Sequence, residues 1–260
     1  MVTRRVTRCP IVALLALVAL AASEARAAPC GPRADALGTH RVLALDPKGV
    51  KVGLQQFSRT LDLAAREVVL TFDDGPDPRT TPMVLAALAR ECVRATFFLI
   101  GREAEAHPEL AKRIVAEGHT VAHHSMTHPL TLTRLPYAKA IEDIERGIKA
   151  VEHAAFGSVA ERPRVPFFRF PGFGQSPALL AYMEEKGLAV FGSDLWASDW
   201  IPMQPETELR LVLSRLETVG RGIILLHDTR LQTARMLPAL LSALKARGYE
   251  VVHVVPAAAP

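Results

Sequence analysis

Two adjacent carboxylates, Asp73 and Asp74, stand in "TFDDGPDP" where an apolar run stops and Gly75 and Pro76 follow at once. Three histidines, His123, His124 and His128, occupy a comparable place in "AHHSMTHP". Arg169 follows in "FFRFPGFG", Asp194 and Asp199 in "GSDLWASDW", and His227 with Asp228 in "ILLHD". One carboxylate with two imidazoles suits a catalytic zinc that keeps positions open for water and a substrate oxygen. His124 and His128 are four residues apart, so one helical turn after the strand, closed by Pro129, would bring both imidazoles to one side. The H-x-x-x-H spacing also fits two surface histidines. Its place at a strand end, matched by an Asp pair at another strand end, favours the ligand reading.

The elements that must position these groups are visible from residue 67 onward. Short β-branched or aromatic runs, "EVVLTF", "ATFFLI", "HTVAHH", "PFFRF", "LAVFGS", "GIILLH" and "YEVVHVV", alternate with helical patterns. The helical segments are "TTPMVLAALAREC", "HPELAKRIVAEG", "LPYAKAIEDIERGIKAVEHAA", "SPALLAYMEEKG", "PETELRLVLSRLETVG" and "TARMLPALLSALKARG". This βα alternation predicts a parallel sheet. About seven such strands, with no G-x-G-x-x-G turn after the first, predict an α/β fold: an incomplete or distorted (β/α) barrel in a single domain. Chemistry in such folds sits at the C-terminal ends of strands, which is where the ionisable residues above fall. Residues 28–66 read less clearly, with "HRVLAL" a possible extra strand.

A chain of 260 residues, 49% hydrophobic and 22% charged, can bury one full-sized core. Arg4, Arg5 and Arg8 precede the apolar run of residues 11–22, and "ARA" at residues 25–27 offers a cleavage site. Residues 1–27 therefore read as a secretory signal peptide, and a periplasmic or secreted location is expected. The apolar run is short of the ~20 residues that span a bilayer, so no stable membrane insertion is expected after cleavage. Cleavage removes four Arg and one Glu and lowers the net charge from +4 to +1. The retained basic patch that a nucleic-acid partner needs is then missing, and none is expected. Cys30 and Cys92 remain in an oxidising compartment, where they form one disulfide unless Cys92 is a small buried apolar residue.

From about residue 67 to the end, the chain resembles the polysaccharide deacetylases, the NodB-type carbohydrate esterases of family 4. Their five motifs read here, in order, as "TFDDGP", "HSMTH", "RFPGFG", "DLWASDW" and "LLHD". The resemblance implies that Asp73 is the catalytic base and that Asp74, His124 and His128 hold Zn2+ or another divalent transition metal. It implies that Arg169 holds the base, that His227 is the general acid and that Asp199 orients it. Trp200 and Leu225 match the walls of an acetyl pocket, and a backbone N–H near Gly172 matches the oxyanion donor. The implied partner is an N-acetylated glycan, peptidoglycan or chitin-like, from which acetate is released. O-acetyl ester or other amide hydrolysis on the same site, and glycan binding without catalysis, stand as alternatives.

Those roles also make chemical sense. Zinc lowers the pKa of bound water to roughly 7, Asp73 can take its proton, and an amine leaves only once protonated. A carboxylate beside His227 would keep it charged for that task. Two departures from the usual motifs stand out. Many relatives have an aromatic directly after the third-motif Pro, whereas here Gly172 stands there and Phe173 follows, so the donor can shift by one residue. His123 stands before the first ligand, where relatives often have Asn, and reads as lying behind the ligands or exposed. His107, His119, His153 and His253 read as surface or capping residues, and Glu142, Asp143 and Glu145 as a solvated helix face. Trp196 lines the cleft or fills the barrel, and Ser176 lacks a nucleophile elbow.

Overall fold

The computed structural model describes residues 1–2 and 35–257. The signal-peptide reading falls almost wholly on residues outside the described ones. So does Cys30: Cys92 is disulfide-bonded, but its expected partner lies outside the described residues. No helix among the described residues is long and apolar enough to cross a membrane.

The chain runs β1 (Thr39–Leu45), β2 (Lys51–Val52), β3 (Glu67–Asp73), α1 (Thr81–Arg90), β4 (Thr96–Leu99), α2 (Gly101–Ala106) and α3 (Pro108–Ala116). It continues with β5 (Thr120–His123), α4 (Tyr137–Phe156), β6 (Phe167–Phe168), α5 (Pro177–Glu185), β7 (Ala189–Phe191) and β8 (Leu195–Trp196). The last elements are α6 (Pro205–Val219), β9 (Gly222–His227), α7 (Leu231–Ala246) and β10 (Glu250–Pro256). Prolines in the first turns of α1, α3, α5 and α6 start those helices where the missing N–H costs nothing.

Every strand pairing is parallel. The order β8-β9-β3-β4-β5-β6-β7-β2 curls into a distorted, open (β/α) barrel. Period-two alternation gives each strand one inward and one outward row. Val69, Phe98, Ala122, Phe167, Phe191 and Ile223 meet on the axis, whereas Val68, Leu70, Phe72, Phe97, Leu99, Ile224 and Leu226 pack outward against helices.

The expected strand at "HRVLAL" is β1, but it is not a barrel stave. It pairs with β10, which pairs with β3 only at Glu250 and Val251. From there β10 crosses below the barrel: Val252 and Val254 join the axial core, and Thr120 Oγ1 at the foot of β5 donates to the Val254 carbonyl at 2.7 Å. The open side, between β2 and β8, is laced by Asp194. Its carboxylate accepts from Leu54 N at 2.8 Å, Thr60 Oγ1 at 2.6 Å and Ile223 N at 2.6 Å. This strand-end carboxylate therefore closes the wall and does not face the mouth.

His119 and His253 are buried under the barrel, which corrects their reading as surface residues. His119 Nδ1 accepts from Ala95 N at 3.1 Å, and His253 Nε2 lies 2.9 Å from Thr120 Oγ1. Burial holds them down to about 3 and about 4 respectively, helped by the Arg94 charge and, for His119, by His253. The unfolded chain therefore takes up protons below pH 6.5 that the fold refuses, and stability falls as pH falls from 6.5 toward those values. The expected loss is roughly 1 kcal/mol per histidine per pH unit. A His119→Gln, His253→Gln variant should show a flatter dependence of its urea midpoint between pH 6.5 and 5; parallel curves would contradict this.

Candidate active site

Register places Asp73 opposite His227 on the adjoining strands β3 and β9. Both fall on the inward row, above Thr71 and Leu225. Asp73 is buried, with Oδ1 2.6 Å from Arg169 Nη1. Arg169 enters from the end of β6 and is itself fully buried. Its other bonds go to Thr71 Oγ1 at 2.9 Å, Gly192 O at 2.8 Å and Phe191 O at 3.3 Å, and its guanidinium lies 4.2 Å from the Phe98 ring centroid. A buried charge is tolerated when it is paired and hydrogen-bonded in this way. Burial raises the Asp73 carboxyl above its ordinary value, and the Arg169 and His227 charges limit the rise. A carboxylate moved upward is suited to taking a proton.

The strand ends at Asp73, and the next residue would point outward. Instead Asp74 adopts φ +76°, in the left-handed region that Asp tolerates better than most residues. That re-aims its carboxylate over the mouth, toward His124 and His128. Gly75 is needed for packing: a Cβ there would run into both carboxylate oxygens of Asp228. Asp228 is buried, accepts from Thr81 Oγ1 and is pushed up to about 7, chiefly by burial. Gly75→Ala should therefore shift Asp74 and destabilise the fold by about 1–3 kcal/mol, as overpacking does. Thermal unfolding and divalent-metal content of the variant check this, and wild-type values for both would contradict it.

His124 and His128 lie beside Asp74. His124 Nε2 is 3.6 Å and His128 Nε2 is 3.2 Å from Asp74 Oδ1, with the ring centroids 4.8 Å apart. The expected helical turn is absent. Residues 124–129 form an irregular loop, with Ser125 and His128 at φ +64° and +56°. Asp143 of α4 holds this loop, accepting from Met126 N at 3.1 Å, Thr127 N at 3.3 Å and Thr127 Oγ1 at 2.6 Å. Gly147 lets α4 come this close, because a Cβ would overlap the Ser125 backbone. Asp143 is thus a loop anchor, and Glu145 accepts from Tyr182 Oη at 2.7 Å. Of the three acids read as a solvated face, only Glu142 is exposed.

These residues fit a divalent cation. The three donor atoms lie within 4.8 Å of one another, and Asp74 Oδ1 is buried without a hydrogen bond. His124 Nδ1 lies 2.7 Å from the Arg169 carbonyl, so it carries the proton and leaves the Nε2 lone pair facing Asp74. Burial holds His124 down to about 3, with His128 acting the same way, despite the opposing pull of Asp74. A neutral imidazole lone pair aimed at a carboxylate is the arrangement a metal completes. His123 is buried, faces away toward Glu152 of α4 at 3.9 Å, and is no ligand.

His227 is gripped by Asp199: its Nδ1 lies 2.7 Å from Oδ1, and its backbone N–H donates to Oδ2 at 2.7 Å. Its Nε2 is turned toward the other carboxylates, 3.9 Å from Asp74 Oδ2. Burial lowers its pKa, but Asp199, Asp74 and Asp73 outweigh that and bring it to about 9. A cation on Asp74 would pull it back toward neutrality. Trp200, 46% exposed, meets the His227 ring edge-on at 6.1 Å, with Trp196 6.3 Å beyond. Leu225 is buried two residues below His227 on the same row. In the 3-10 turn of residues 171–173, Phe173 N donates to the Phe170 carbonyl at 2.9 Å. Gly172 N has no partner among the described residues, so the one-residue shift in the motif leaves Gly172 as the available donor. Thr71, Thr233 and Glu208, which also support this site, carry no strand-end signal in the sequence. Glu208 does fall at helical spacing from Val212 and Leu216, on the buried face of α6.

The polysaccharide deacetylase family profile matches residues 61–191. A chitooligosaccharide deacetylase from Bradyrhizobium sp. (strain ANU 289) is 37% identical over 206 residues, 74% of this chain and 90% of that protein. A peptidoglycan-N-acetylglucosamine deacetylase from Listeria monocytogenes is 33% identical over 73% of this chain and 38% of its own length. Among solved structures, a peptidoglycan deacetylase from Bdellovibrio bacteriovorus superposes with TM-score 0.75 at 32% identity, covering 89% of this chain and 63% of that one. Matches of this extent, joined to the strand-end constellation of carboxylates and histidines, make this chain a member of the polysaccharide deacetylase family.

Proposed function

We propose that the protein is a zinc-dependent hydrolase that removes N-acetyl groups from a glycan of the peptidoglycan or chitin type and releases acetate, acting in the periplasm or after secretion. The observation that carries this reading is the pair of opposed groups at one mouth. Asp73 is held by Arg169, His227 is held by Asp199, and the Asp74, His124 and His128 donors lie with them. When bound there, zinc or a similar ion supplies Lewis acidity for a water nucleophile and for the acetyl carbonyl. Asp73 takes the proton of the attacking water, and Arg169 keeps Oδ1 occupied so that Oδ2 faces the cleft. The Gly172 N–H serves the developing oxyanion, an interaction worth about 3–4 kcal/mol in comparable sites. His227 gives its proton to the departing nitrogen, while Asp199 fixes the ring so that Nε2 faces the cleft. Trp200 and Leu225 wall the acetyl group. Relatives named for chitooligosaccharide and for peptidoglycan deacetylation support the substrate class.

Acetate release by the zinc-loaded protein across peptidoglycan, chitooligosaccharides and acetylated xylan tests this. Release from an N-acetylated glycan is expected. Release from acetylated xylan alone would replace the reading with O-acetyl ester hydrolysis.

A further inference from the structure

Behind Asp199, two carboxyl groups share a single hydroxyl. Thr233 Oγ1, near the start of α7, lies 2.8 Å from Asp199 Oδ2 and 2.8 Å from Glu208 Oε1. A hydroxyl has one proton, so it donates to one oxygen and must accept from the other. Two ionised carboxylates cannot both be satisfied. Asp199 already meets two other donors, the N–H and Nδ1 of His227, and those interactions hold its carboxyl below the ordinary range against the opposing effect of burial. Glu208 is completely buried, has no ion-pair partner among the described residues, and leaves Oε2 without a hydrogen bond. A charge there would lack an ion-pair partner, and burial outweighs the help of Gln232 and His227, whereas a carboxylic acid supplies the proton that the Thr233 geometry lacks.

We propose that Glu208 is a neutral carboxylic acid that donates to Thr233, so that the Thr233 hydroxyl in turn donates to Asp199, making Glu208 and Thr233 positioning residues for His227. Burial pushes the Glu208 carboxyl up to about 7, with the Asp199 charge adding to the rise and the Thr233 and Gln232 hydrogen bonds and the His227 charge opposing it. The placement in the fold agrees. Glu208 stands on the apolar stripe of α6 with Val212 and Leu216, all three fully buried, where an aliphatic side chain would pack at lower cost. The relay ties α6 and α7 to the loop carrying Asp199. With the Thr233 proton committed to Oδ2, Asp199 Oδ1 stays aimed at His227 Nδ1. Its functional consequence rests on the proposed role of His227 as the acid.

The test compares Glu208→Gln, Glu208→Leu and Thr233→Val with the wild type. Turnover is measured on an N-acetylated oligosaccharide and on an activated aryl acetate, whose phenolate leaves without an acid. Infrared difference spectroscopy at pH 6 reads the protonated carboxyl directly. Glu208→Leu and Thr233→Val should lose about tenfold to a hundredfold on the amide, less than loss of the acid itself, with the aryl ester nearly unchanged. Glu208→Gln, a neutral donor of similar shape, should recover the amide rate to within about threefold, since hydrogen bonding rather than charge is what it must supply. One protonated-carboxyl band of the wild type should be lost in Glu208→Gln, while that of Asp228, also pushed up to about 7, persists in both. Equal losses on both substrates, a Gln variant as damaged as Leu, or no such infrared difference would each overturn the proposal. If the wild type cleaves the aryl ester but no acetylated glycan, the functional reading fails. The infrared comparison still decides the state of Glu208.

Discussion

His124→Ala and His128→Ala should each weaken divalent metal binding by more than about a hundredfold, beyond the effect of removing a group that only supports a ligand. Turnover on amide and ester substrates should fall with it. The expectation follows from the donor set: one carboxylate and two imidazoles within 4.8 Å already form the smallest catalytic set, so no fourth side chain compensates. His123 cannot substitute, because it is buried on the outward side of β5 against α4. Metal content after dialysis and titration with zinc provide the check. Wild-type affinity in His128→Ala would show that the site is drawn on the wrong residues.

Asp73→Asn should lower turnover on both amide and aryl ester by roughly 10² to 10⁴ while the protein keeps its metal, because both reactions need the same activated water. Removing this charge also leaves Arg169 buried without its counter-ion, and breaking a buried pair costs about 3–5 kcal/mol. The Asn oxygen still accepts from the guanidinium, so part of that loss is recovered. Urea unfolding separates the two effects, and a stable, metal-loaded but inactive variant is the expected outcome. Retained ester turnover would mean that another group activates the water.

The features legible in the sequence were those with a repeat to read. The apolar run of β3 marked Asp73 as a strand-end residue, and the 3.6-residue spacing of α1, α3, α4, α5, α6 and α7 placed the helices between strands. β2 and β8 are two residues each and carry no period. Asp194 and Asp199 share a segment, yet the backbone donors around Asp194 make it a seam while Asp199 grips His227. That difference depends on which elements converge in space. The same holds for His119 and His253, buried because β10 passes under the barrel, and for Asp143, drawn from a solvated face onto the ligand loop by the close approach that Gly147 permits. Glu208 had a readable signal in its position among the apolar residues of α6. Its partner, Thr233, comes from α7 and had none.

The central claim is that Asp73 and His227, side by side on adjoining strands, serve one reaction centre, one taking a proton and the other giving it. The most direct measurement is a pair of rates, amide and activated aryl acetate, for the wild type and His227→Ala under saturating zinc. An amide nitrogen cannot leave as an anion, whereas a phenolate can, so the account predicts that amide hydrolysis falls by roughly 10² to 10⁴ while the aryl ester rate stays close to wild type. Equal losses on the two substrates would contradict it, and would make His227 a structural or metal-holding residue rather than the acid.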